Sequence, residues 1–267
     1  MSTELERLEN ESIYIIREAY KNFSKLGMLW SMGKDSTVML WLVRKAFLGR
    51  VPFPLMHIDT HYKIPEMITY RDEMAKKWNL DLKIFSNTEA LKAGMGPHQS
   101  KLECCNSLKT EGLKIAQRDF PRDALLVAIR RDEEGSRAKE RYFSPRNTSF
   151  NWDRENQPPE LWNQYHVQFP ADTHVRVHPI LSWSEVNIWE YIKKENIPVL
   201  DLYFSKEGKR YRSVGCAPCT LPIDSNAKTV DDIIAELKMT KTSERAGRAQ
   251  DQADNYAMEK LRAKGYM

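Results

Sequence analysis

The feature that most constrains the fold is a repeated alternation of short apolar runs with stretches of helical period. Residues 5–23 carry Leu5, Leu8, Ile15, Ile16, Ala19 and Phe23 at helical spacing. Met28-Leu29-Trp30 then leads through Ser31-Met32-Gly33-Lys34-Asp35-Ser36 into an apolar helix over 37–47. A second apolar run, 53–58, ends at Asp59-Thr60 and is followed by an amphipathic stretch over 64–78. Further strands are predicted over 81–85, 124–129 and 175–181, with helices over 108–118 and 185–194, the latter capped by Ser184. Strands alternating with helices of this length predict βαβ units. The expected fold is therefore α/β, an open and mostly parallel sheet with helices on both faces, plus a C-terminal extension. The pattern stops over 142–173, where Asn, Pro, Trp and Asp follow no period. A loop that long is usually functional or belongs to an interface.

The chain has 267 residues. At about 150 residues per domain, that is between one and two domains. We divide it into an α/β nucleotide-binding domain over 1–200 and an extension over 201–267 with a C-x-x-C and a basic tail. Net charge is +4, from 41 Lys+Arg against 37 Asp+Glu. That near-balance argues against a nucleic-acid coat or a polybasic membrane binder, while leaving room for a local anion site. No apolar run approaches the roughly 18–20 residues that span a bilayer. The polar, acidic start reads as neither secretory signal nor transit peptide, so the expected compartment is the cytoplasm.

Ser31–Ser36 lies between an expected strand and an expected helix. Such a turn presents free N–H groups to an anion. Gly33 would let the backbone approach closely, Lys34 adds a point charge, and Ser31 and Ser36 add hydroxyls. The spacing is not that of G-x-x-x-x-G-K-[ST], because Met28 holds the first glycine's place and Asp35 follows the lysine. Asp59 closes the next strand at the same edge of the sheet, where ligands of open α/β folds bind.

Ser31-Met32-Gly33-Lys34-Asp35-Ser36 resembles the S-G-G-K-D-S pyrophosphate loop (PP-loop) of the ATP pyrophosphatases, with Met32 in place of the first glycine. That fold, of adenine nucleotide alpha hydrolase type, includes phosphoadenylylsulfate reductases and the small subunit (subunit 2) of bacterial sulfate adenylyltransferase. Arg130-Arg131-Asp132-Glu133-Glu134 with Ser136-Arg137-Ala138-Lys139-Glu140-Arg141 is similar to the R-R-D-E-E-x-S-R-A-K-E-R signature of that subunit. So are Pro159-Glu160-Leu161-Trp162, Lys109-Thr110-Glu111-Gly112-Leu113-Lys114, and Ser243-Glu244-Arg245 with Gly247-Arg248. The resemblance covers nearly the whole chain.

The resemblance implies ATP plus sulfate giving adenosine 5′-phosphosulfate and pyrophosphate. Ser31, Met32, Gly33, Lys34, Asp35, Ser36 and Asp59 would bind ATP and its pyrophosphate. Asp35 and Asp59 would contact Mg²⁺ or ribose, two roles the sequence does not separate. Lys34, Arg130, Arg131, Arg137 and Arg141 would be the catalytic cations. Arg137, Lys139, Arg141, Arg245 and Arg248 would hold sulfate or phosphosulfate. Arginine suits such anions because its planar fork donates in pairs. A GTPase large subunit is the implied partner, with the loop over 142–173 as its candidate contact. A homodimer is left open.

Cys104, Cys105, Cys216 and Cys219 are all the cysteines in the chain. In a reducing compartment their spacing looks more like a ligand set than a disulfide pattern. They depart from the usual small-subunit pattern and resemble the C-C…C-x-x-C set of adenylylsulfate reductases. That resemblance implies a [4Fe–4S] cluster, with zinc as runner-up. It also opens a reductase as the alternative function, or an ATP-dependent thiolation enzyme acting on an acceptor such as a tRNA base, or a nucleotide sensor. The reductases use a further C-terminal cysteine as nucleophile, and residues 251–267 contain none. His57, His61 and His178 are assigned no role as a base, because sulfate needs none.

Overall fold

A computed structural model of the chain describes residues 3–152, 157–162, 164–170, 173–247 and 257–265. Its main sheet has six strands: β1 Leu26–Leu29, β2 Leu55–Ile58, β3 Leu82–Phe85, β4 Ala124–Leu126, β5 Phe143–Arg146 and β6 His174–Val177. They lie in the order β3-β2-β1-β4-β6-β5. All neighbours are parallel except β5, which runs antiparallel to β6 with Phe143 opposite Val177. Strands β1, β2, β4 and β6 are buried along their whole lengths, which is why they read as continuous apolar runs. The edge strand β3 is half exposed.

Helices Glu4–Asn22, Lys34–Ala46, Pro65–Lys77 and Glu185–Glu195 follow the expected periodicity. Ser184 caps the last of them through the Asn187 amide N–H, as anticipated. Three expectations are corrected. The strands predicted over 124–129 and 175–181 end at Leu126 and Val177, because both segments turn at the ligand edge of the sheet. The aperiodic stretch over 142–173 holds strand β5, whose Phe-Ser-Pro-Arg sequence hides an edge pairing. The helix predicted over 108–118 is a π-helical turn, Asn106–Glu111, followed by an α-helix, Gly112–Asp119. Inserted π turns are common at functional sites.

The chain after residue 200 packs back onto the sheet and shares its core. A small ribbon joins β7 Lys209–Arg210 to β8 Ile223–Asp224. Helix Val230–Met239 puts Ile233, Ile234 and Leu237 into the main hydrophobic core. The last described helix, Ala257–Ala263, is tied down by Arg262, which ion-pairs with buried Glu140. Arg146 meets the same carboxylate at 2.7 Å. Burial pushes the Glu140 carboxyl upward, but these guanidinium groups outweigh it and hold it well below the usual carboxylate range. Among the described residues no helix is long and apolar enough to cross a membrane.

Candidate active site

The strand order reverses direction between β1 and β4, since the chain builds β2 and β3 on one side and then returns to the other. A cavity opens where the chain leaves the carboxyl ends of those two strands, as expected for a switch point. Leu29, Ser31 and Gly33 to Ser36 form one wall, and Val127 to Ile129 form another. The extension closes the cavity with Tyr203, Ser213 to Gly215, Glu244 and Arg245.

Gly33 has φ −65° and needs no glycine conformation, whereas Met32 stands at φ +62°. The left-handed region favours glycine. Met32 is buried, so its side chain offsets that strain by packing. Gly33 is the N-cap of helix Lys34–Ala46 and offers no side-chain cap, leaving the first-turn amides for other acceptors. The Tyr203 hydroxyl takes one of them, the Lys34 N–H, at 2.7 Å. The Ser31 and Ser36 hydroxyls lie 3.1 Å apart.

Lys34 and Arg130 are 1% and 0% exposed. Lys34 Nζ lies 3.1 Å from Asp35 and 4.0 Å from Glu185, and ion-pairs with Glu244. Arg130 donates to Asp132 at 2.9 Å and ion-pairs with Asp35 and Glu244. Burial alone would lower the Arg130 pKa, yet Glu244, Asp132 and Glu185 raise it. Glu244 answers in kind: burial raises its carboxyl, and Arg130 and Lys34 pull it far down. The arginine therefore stays charged inside the protein.

The other predicted residues divide. Arg137 and Arg245 line the cavity and both pair with Glu133, Arg245 at 3.4 Å. Asp35 and Ser36 line it too, while Met32 packs beneath the loop. Arg130, Arg131 and Arg141 are not among the lining residues. Arg131 lies over the Tyr142 ring, 5.2 Å from its centroid, and the Arg141 carbonyl accepts from His178 at 2.7 Å. Lys139 is exposed, and its carbonyl accepts from Gln157. Asp59 also lies outside the lining, where its carboxylate accepts the His61 N–H at 2.8 Å and faces Arg71 at 3.8 Å. Arg248 lies outside the described residues. Sequence reasoning missed Lys63, Lys109 and Tyr203 as lining residues. The Lys109 motif was legible as a resemblance, but nothing local said which way its lysine pointed.

The four cysteines, more than a hundred residues apart in two pairs, line one second cavity with Thr60, Tyr62, Leu108 and Lys109. Residue 216 is fixed there by an isolated bridge to Lys63 and by a 3.2 Å contact of its sulfur with the Thr60 hydroxyl. The Ala217 N–H donates to the Tyr62 carbonyl at 2.8 Å. Ser100 caps the short helix Lys101–Cys105 that carries the other pair. Burial first, and then the three neighbouring thiols, push Cys104 up to about 11. Burial, Cys105 and Cys216 raise Cys219. Among the described residues no three or more His, Cys, Asp or Glu side chains close around a single ion. Lys109 belongs to the walls of both cavities.

Residues 25–222 match the phosphoadenosine phosphosulfate reductase domain family. The chain is 44% identical to sulfate adenylyltransferase subunit 2 of Allorhizobium ampelinum, covering 98% of this chain and 93% of that one. It is 43% identical to the subunit 2 of Geotalea uraniireducens, covering 99% and 98%. In three dimensions it resembles phosphoadenylyl-sulfate reductase from Candida auris, with TM-score 0.55, 16% identity, and coverage of 83% and 98%. It also resembles the ATP complex of Candida glabrata FMN adenylyltransferase, with TM-score 0.57, 18% identity, and coverage of 100% and 91%. At these identities the structural likenesses speak for the fold.

Proposed function

The chain belongs to the phosphoadenosine phosphosulfate reductase domain family and, within it, groups with the sulfate adenylyltransferase subunit 2 proteins; from that premise we propose that it transfers the adenylyl group of ATP to sulfate. The products are adenosine 5′-phosphosulfate and pyrophosphate. The observation that carries this reading is the meeting of Lys34, Arg137 and Arg245 around one cavity at the β1/β4 switch point.

A sulfate oxygen attacks the α-phosphorus, the bond to the bridging oxygen of pyrophosphate breaks, and pyrophosphate departs with the electron pair. Such a transfer needs alignment and charge neutralisation rather than a covalent residue. The first-turn amides and Lys34 receive the pyrophosphate. Leu29, Val127 and Ile129 offer an apolar wall to the nucleoside. Arg137 and Arg245 face the sulfate. Asp35, which lines the cavity, is the carboxylate suited to Mg²⁺, and the ion would neutralise the departing phosphates. Arg130 acts behind the loop by orienting Asp35 and Glu244.

The four cysteines that line the second cavity support the reading of a [4Fe–4S] cluster on Cys104, Cys105, Cys216 and Cys219, with zinc as the runner-up. Bound there, it would cross-link the helix Lys101–Cys105 to the extension. Adenylyl transfer draws no electron from it. Reduced thiols of this kind belong to the cytoplasm. The name subunit 2 in the relatives supports a larger partner, read here as a GTPase that drives the uphill reaction. Leu161 and Trp162, 59% and 87% exposed in the loop over 142–173, are the proposed contact.

The convergence of the cysteines favours one second reading, an adenylylsulfate reductase. One assay separates the two. Anaerobically purified protein is given adenosine 5′-phosphosulfate, Mg²⁺, pyrophosphate and reduced thioredoxin. ATP is the expected product, formed in the downhill direction without GTP. Sulfite and AMP would replace this reading with the reductase.

A further inference from the structure

The cations at the phosphate loop are already neutralised by the chain itself. One Glu244 carboxylate oxygen accepts from Lys34 Nζ and the other from Arg130 Nη2. Lys34 and Glu244 both line the cavity, so the ammonium that Glu244 occupies is the donor a phosphate would take there. Glu244 arrives from a distant part of the chain, 210 residues beyond Lys34. It begins the short 3-10 turn Glu244–Gly247. Residues 241–243 before it are exposed, so the arm is buried mainly at the Glu244 tip. The arm is otherwise held by Arg212 donating to the Thr242 carbonyl at 2.7 Å and by Arg245 with Glu133.

Two cations this deeply buried need an anion whether or not nucleotide is present. Asp35 touches both, but shares its carboxylate between them and stays on the loop. Glu244 adds the further negative charge, and it lines the cavity. A pyrophosphate and the Glu244 carboxylate compete for the Lys34 Nζ–H that Glu244 now holds.

We propose that Glu244 is an intramolecular competitor of pyrophosphate: it occupies Lys34 in the empty site, yields it to the phosphates of ATP, and retakes it as pyrophosphate leaves, while Arg130 stays behind the loop. Glu244 is then a positioning residue that holds Lys34 aligned between turnovers. Its return lowers the affinity for the leaving product. The inference rests on the reading that pyrophosphate binds at Ser31–Ser36.

The test is calorimetric titration of the full chain with pyrophosphate and Mg²⁺. Glu244→Gln keeps the shape and removes the charge. Its affinity for pyrophosphate should rise by about tenfold or more, because a charge-assisted contact no longer has to be broken. An unchanged or weaker affinity overturns the proposal. A second measurement uses the unaltered chain, which avoids any folding defect of the variant. Pyrophosphate should speed hydrogen exchange of the amides over 240–247. Unchanged or slower exchange there also overturns it. Lys34→Ala separates the two readings. If it binds pyrophosphate as tightly as the unaltered chain, the loop reading itself fails and the competitor falls with it.

Discussion

The Tyr203 hydroxyl accepts the Lys34 amide hydrogen at 2.7 Å, so the extension caps the phosphate-loop helix that the sheet domain begins. The same ring packs edge-on to Trp189 at 5.3 Å. Tyr203→Phe keeps that packing and removes the acceptor. It should cost about 1 kcal/mol of stability, read as a lower urea midpoint with an unchanged slope.

Lys34 is the point charge of the loop. Lys34→Ala should reduce ATP formation from adenosine 5′-phosphosulfate by about 100-fold or more, the usual scale for removing one preorganised donor. Circular dichroism like that of the unaltered chain would assign the loss to chemistry. Retained activity would remove Lys34 from the mechanism.

Arg137 and Arg131 make a contrasting pair. Arg137 lines the cavity, and Arg131 lies over Tyr142 outside it. Arg137→Ala should raise the KM for adenosine 5′-phosphosulfate by about tenfold, which corresponds to roughly 1.4 kcal/mol. Arg131→Ala should change it by less than about threefold on the same scale. Steady-state kinetics of both variants decides whether the cavity or the sequence signature marks the sulfate site.

The cluster reading predicts iron. Protein purified anaerobically should carry iron and acid-labile sulfide, and Cys216→Ser should lose both. Zinc without sulfide would favour the single-ion alternative. Equal iron in the two proteins would remove Cys216 from the ligand set.

Three buried histidines predict acid sensitivity. Burial lowers His57 to about 4, and His174 and His178 to about 3, from an ordinary 6.5. The unfolded chain binds a proton at each site below pH 6.5, while the folded chain does not until near those lower values. Protons therefore favour the unfolded state across that window. Stability is complete above pH 6.5 and falls as the pH drops, by up to about 4 kcal/mol per pH unit for three sites. Urea unfolding at pH 7 and pH 5 measures the slope, and a flat profile would contradict the buried, neutral state of the three rings.

Much of this was legible locally. Continuous apolar runs such as Leu55–Ile58 marked strands buried on both faces, and Ser184 announced its helix. The strand-to-helix turn at Ser31–Ser36 was legible because its residues are contiguous. The Ser144 and Pro145 of β5 were not readable as strand, because an antiparallel edge pairing depends on a neighbour, Val175 to Arg176, far along the chain. The left-handed turn at Met32 was not readable either, since φ at a turn is set by how strand and helix join.

The sequence by itself determined the βαβ alternation, the loop that starts the helix at Lys34, and the existence of two cysteine pairs, because these are properties of neighbours along the chain. Tertiary structure decided which arginines face the cavity and which lie elsewhere. It also brought Cys104 and Cys105 to Cys216 and Cys219, and Glu244 to Lys34 and Arg130. The physical reason is that a buried charge or thiol takes its partner from whatever the fold places beside it. Strand order and the path of the extension set that proximity, and spacing along the chain does not record it.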